Sequence, residues 1–123
     1  MKTKVLNIDK YRKLVPPEGK LPYRERIIAP EDGDFKYLAA GFTILAPGAG
    51  STMHISKRDK IILCIDGSGL RQTGGKEFPM NAGDIFLTPA DEPHYLRNTG
   101  ETPLKFFEFT APKSEAAHIE VNE

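Results

Sequence analysis

The chain has no tryptophan, a single cysteine and no net charge. Each shortage excludes something. One thiol, Cys64, cannot close an internal disulfide, which suits a reducing compartment and points to a cytoplasmic setting. No apolar run approaches the roughly 20 residues of a membrane helix. The basic start MKTKVLNIDKYRK holds no apolar stretch of the length a secretory leader needs. Charge cancels at 17 basic against 17 acidic side chains but is unevenly spread. Residues 1–30 carry eight Lys/Arg and three Asp/Glu, and the rest of the chain is acidic by the same margin. A nucleic-acid binder shows a domain-scale basic excess, so nucleic acid is an unfavoured partner.

What the chain does have is punctuation. Gly 11 and Pro 10 in 123 residues argue against a helical bundle and for many turns. This length suits one domain with its own core. Only the N-terminus suggests a helix: Ile8, Tyr11 and Val15 recur at near-helical spacing, with Asp9 as a cap and Pro16-Pro17 as a stop. The tail from Lys113 is expected to add a turn or to fray. Between them lie short strand patterns at Tyr23–Ala29, Phe35–Ala46, Ser51–Ser56, Lys60–Asp66, Leu70–Thr73, Lys76–Phe78, Ile85–Thr88, His94–Asn98 and Leu104–Thr110. Phe35–Ala46 is apolar on both faces, which predicts burial on both sides. Gly74-Gly75 is a two-residue hairpin signal. Short strands at this spacing predict an all-β sandwich or barrel.

Of the histidines, His54 and His94 fall in strand-forming surroundings, and His118 falls in the tail. The segment GAGSTMHISKRDKIILCIDG (Gly48 to Gly67) and the segment GDIFLTPADEPHYLRN (Gly83 to Asn98) resemble the two motifs of the cupin superfamily, G(x)5HxH(x)3–4E(x)6G and G(x)5PxG(x)2H(x)3N. Gly48, His54, Gly67, Gly83, Pro89, His94 and Asn98 match. The resemblance covers about residues 38–112. It implies a single cupin-type double-stranded β-helix, a jelly-roll barrel (residues 35–112). An N-terminal arm and first strand (1–34) would pack on it, and a tail (113–123) would follow. It also implies an inward cluster of histidines and a glutamate around one divalent metal. Fold alone selects no reaction.

The departures carry as much information. Ser56 replaces the second motif histidine, Lys60 the glutamate, and Asp91 the glycine of PxG. His54 and His94 remain as metal candidates for Zn, Ni, Fe or Mn. An ammonium at the glutamate position opposes such an ion by about 8 kcal/mol at 4 Å and an effective dielectric near 20. Lys60 is therefore expected either to pair with Glu108, whose strand face includes Leu104 and Phe106, or to hold an anion together with the two histidines. Ile62, Cys64 and Leu96 would supply apolar pocket walls by alternation. Ser56 would be a weak ligand or filler. Asn98 is expected to tie a turn, and Cys64 to fill core space.

Two functions follow as expectations. One is a small-molecule enzyme of isomerase or lyase type acting on a polar or anionic metabolite, with His54, His94 and Lys60 as its working groups. The other is a metal-free binding or sensing barrel. Edge-strand physics and the uneven charge favour a homodimer.

Overall fold

The computed structural model describes residues 3–28, 35–112 and 118–120. The parts of the arm and tail expectations that fall on residues 1–2, 29–34, 113–117 and 121–123 lie outside these described residues.

One short helix, α1 (Ile8–Arg12), opens the chain. Its cap is Asn7, whose side chain accepts from the Asp9 N–H, and not Asp9 itself. Only Tyr11 of the expected apolar face is buried, while Ile8 and Val15 stay exposed. Among the described residues ten strands follow: β1 (Tyr23–Arg26), β2 (Ala39–Leu45), β3 (His54–Ser56), β4 (Asp59–Asp66), β5 (Ser68–Thr73), β6 (Lys76–Asn81), β7 (Ile85–Thr88), β8 (His94–Arg97), β9 (Leu104–Ala111) and β10 (His118–Glu120). The expected first and second strands are trimmed, the latter beginning at Ala39. The sixth runs on through Pro79, which is tolerated because β6 is an edge strand. The tail is corrected: residues 118–120 are neither helical nor frayed but pair antiparallel with β3, Ile119 opposite Ile55.

The strands form two antiparallel sheets, in the orders β1-β2-β9-β4-β7 and β10-β3-β8-β5-β6. This is the all-β barrel architecture the sequence led one to expect. Turn chemistry explains the local steps. Gly74 and Gly75 both have positive φ and join β5 to β6, with Thr73 opposite Lys76. Gly67 also has positive φ, and a Cβ there would lie 2.5 Å from the Pro103 carbonyl oxygen.

Alternation along the first sheet builds two separate cores. Outward residues Phe42, Ile44 and Phe107 are buried with Tyr11 and Ile27 beneath the N-terminal arm. The rings of Tyr11, Phe42 and Phe107 pack edge-on or tilted at centroid distances of 4.8–5.0 Å. Inward residues Leu45, Ile62, Cys64, Leu104 and Phe106 meet Leu96 and Met80 of the second sheet. Burial of β2 on both faces thus has a simple source: the arm on one side and the barrel interior on the other. Ile61, Ile85 and Leu87, outside the arm's cover, remain exposed.

Candidate functional site

The barrel interior is not filled to its end. A cavity of about 450 Å³ lies between the sheets, with apolar walls from Ile62, Leu96 and Phe106. That volume suits a small molecule. The polar side chains around it come from β1, β2, β3, β4, β5 and β9, with Ser51 from the loop before β3.

β3 and β8 place the two histidines directly opposite each other in register. Forty residues of chain separate them, yet the ladder sets their ring centroids 4.2 Å apart, edge to face. Each Nδ1 lies 2.8 Å from a backbone carbonyl, Thr52 for His54 and Glu92 for His94. A carbonyl can only accept, so each Nδ1 carries a proton. His94 is 1% exposed, and its Nε2 has no hydrogen-bond partner. Burial drives its pKa down to about 3, with Arg71, Lys60 and His54 adding to the effect against the Glu92 carbonyl. His94 is therefore a neutral acceptor at any ordinary pH.

β4 supplies Lys60. Its side chain is 11% exposed, and its Nζ lies 3.7 Å from Glu108 Oε2. Ile62 is the register partner of Glu108, so Lys60 and Glu108 are diagonal neighbours on the inner face. Glu108 itself is partly open to solvent. Burial lowers the Lys60 pKa, Glu108 opposes that, and Arg71 and Arg58 reinforce it.

The residue the sequence reading missed is Arg71 of β5. It is 2% exposed, the largest fully buried side chain described. One terminal nitrogen donates to Thr88 Oγ1 at 2.9 Å, while Nε has no partner. Burial lowers its pKa to about 10, which leaves it cationic near neutrality. Arg71 sits opposite Leu96 in the β5–β8 ladder, so it shares the inward face expected for Leu96. Alternation could have found it, but only once that register was known. Arg24 and Arg26 of β1 also line the cavity, opposite the inward Thr43 and Gly41.

Not every expected pocket residue borders the cavity: His94 packs its ring against His54, which lines the cavity, but does not line it itself. Ser56 Oγ instead accepts from the Arg58 N–H in the β3–β4 turn. Cys64 has the inward parity expected but lies deeper, fully buried in the apolar cluster, where burial pushes its thiol up to about 11. Asn98 is buried; its amide donates to the Leu45 and Thr102 carbonyls and its oxygen accepts from Gly100. Asp91, at the motif glycine, adopts φ 70° and pairs with Lys57 at 2.7 Å. Aspartate tolerates that left-handed backbone better than most residues.

A family model for the cupin domain matches residues 41–110. The chain belongs to the cupin family. A cupin from Thermotoga maritima, described as an oxalate-binding protein, is 35% identical over 63 residues, about half of each chain. A solved structure from Thermotoga maritima, of a predicted oxalate decarboxylase, is 27% identical with a TM-score of 0.66, covering 72% of this chain and 78% of that one. A double-stranded β-helix protein from Klebsiella pneumoniae covers 99% of this chain and 100% of its own at TM-score 0.74, and at 19% identity it shows the fold alone.

Cupins commonly hold a divalent metal, and the donor set here tests that. His54 and His94 bring two imidazoles together. Among the described residues, no three of His, Cys, Asp and Glu gather as a metal-holding group. Stable sites take three or four protein ligands. The carboxylate on the cavity wall nearest Lys60, Glu108, is paired with it, and the Lys60 ammonium and the Arg71 guanidinium would repel a dication. The residues present do not fit a resident divalent ion.

Proposed function

We propose that this cupin binds a small carboxylate in its barrel through positively charged side chains in place of a metal. The observation that carries the reading is Arg71: a guanidinium 2% exposed, with its Nε unpartnered, facing the same cavity as Lys60. A buried cation with an unmade hydrogen bond is costly unless a ligand completes it. Arg71 would hold the carboxylate, with Lys60 adding charge. Arg24 and Arg26 would draw the anion in from the solvent side. His54, on the cavity wall, would add a polar contact to the ligand. The oxalate-binding relative and the oxalate decarboxylase-like structure support this ligand class. If the site is catalytic, this donor set suits isomerase or lyase chemistry, which needs no oxidant.

Calorimetric titration with oxalate in the presence of a chelator tests the proposal. The expected result is binding that survives chelation and weakens at least tenfold in Arg71→Met. Binding that vanishes with chelation, or that Arg71→Met leaves untouched, would overturn it.

A further inference from the structure

Holding an anion needs only charge, yet the cavity also contains a primary amine. Lys60 stands opposite Thr88 across the β4–β7 ladder, and Thr88 Oγ1 accepts from Arg71. The amine and the guanidinium therefore flank one threonine, with a carboxylate oxygen, Glu108 Oε2, 3.7 Å from the amine. A carboxylate seated on Arg71 would bring the atom bonded to it toward Lys60. We propose that Lys60 is a nucleophile, forming an imine with the carbonyl carbon of a small 2-oxo acid whose carboxylate Arg71 holds. This rests on the carboxylate-binding reading above and adds a covalent step to it.

The step balances without any redox partner. The Lys60 ammonium passes one proton to Glu108. The neutral amine then attacks the carbonyl carbon; a C–N bond forms as the C=O π bond breaks, and one proton of the amine moves to the oxygen to give a hydroxyl. That hydroxyl leaves as water with the proton returned by Glu108. Ammonium and carbonyl thus give iminium and one water. Three features of the site favour it. Burial and the neighbouring Arg71 both favour the free amine, the usual way an enzyme activates a lysine. Glu108 is placed on the same inner face to carry the proton. Ile62, Leu96 and Phe106 line the same cavity and give the carbon chain of the 2-oxo acid an apolar surface to lie on. Lysine at the motif-glutamate position then reads as an exchange of a metal ligand for a covalent group.

The test is reductive trapping of the full chain with pyruvate or glyoxylate and sodium borohydride, followed by peptide mapping. The expected result is a single reduced adduct on Lys60, at least tenfold above that on exposed lysines such as Lys57 and Lys76. Excess oxalate should protect against it, since oxalate fills the anion site but offers no ketone or aldehyde. Lys60→Arg should abolish it, and Arg71→Met should reduce it at least tenfold. An adduct spread over many lysines, or none on Lys60, overturns the proposal, and this mapping in the unaltered chain needs no variant to fold. Oxalate titration separates the two readings. Oxalate binding without a Lys60 adduct overturns the imine and leaves the carboxylate site standing. Absence of oxalate binding overturns both.

Discussion

Lys105 lies on the outer face of β9, and Lys60 lies on the inner face of β4, the neighbouring strand. Both are largely buried. Lys105 Nζ donates to the backbone carbonyls of Arg12 and Leu14, and so pins the end of α1 and the arm behind it to the sheet. Lys60 has one partner, a partly solvated carboxylate at 3.7 Å, in a cavity shared with a still less satisfied arginine. A buried cation whose donors are filled by backbone holds the chain together. One whose donors are left open holds a place for something else. The same contrast separates the two sides of the sheet: an aromatic core closed by the arm behind, and polar atoms without partners in front.

The comparison can be broken first in the rear core. Phe107→Ala removes the ring that packs on both Tyr11 and Phe42 and should cost about 3–5 kcal/mol in urea unfolding. A loss under 1 kcal/mol would mean that the arm does not seal that core. The lysine pair sharpens the contrast at smaller effect. Lys105→Met strands two carbonyls and should cost about 2 kcal/mol, whereas Lys60→Met should stay within about 1 kcal/mol, or stabilise, because it removes a poorly compensated buried charge. Equal losses would erase the distinction drawn here.

The finest probe is pH, because the two sides should fail at opposite ends of the scale. The unfolded His94 imidazole takes a proton near 6.5, while the folded one resists until about 3. The unfolded chain binds more protons in that window, so stability from this side is full above 6.5 and falls as pH drops toward 3. Tyr11 is the reverse case. Burial and its hydrogen bond to Glu25 at 2.9 Å raise its pKa to about 12. Its contribution is full below about 10 and falls as pH rises toward 12. His94→Asn should flatten the acid slope alone. Tyr11→Phe should cost about 1 kcal/mol and reduce the alkaline slope alone. Tyr23, which also donates to Glu25, leaves part of that slope in place.

Particular residues show how far the sequence could be read. Leu104, Phe106 and Glu108 alternate with Lys105, Phe107 and Phe109, and that period of two separated the two faces without coordinates, while strand pairing decided which face was inner. The motif glycines and Asn98 announced their turns, because positive φ and side-chain ties to backbone are local matters. The histidine pair was accessible through motif spacing. Arg71 was not: its segment LRQT is short and mixed, and only its pairing with β8 turns it inward. The tail strand was missed for a similar reason, since residues 118–120 have little strand character of their own and β3 imposes it.

The sequence alone determined the all-β class, the turn positions, the alternation of each strand and the loss of the motif's carboxylate, because these follow from local backbone preference and residue chemistry. Tertiary structure decided which charges meet. Strand register set His54 against His94, brought Arg71 beside Lys60, and turned Lys105 toward the arm. Register depends on how distant strands pair, and no single strand contains that information.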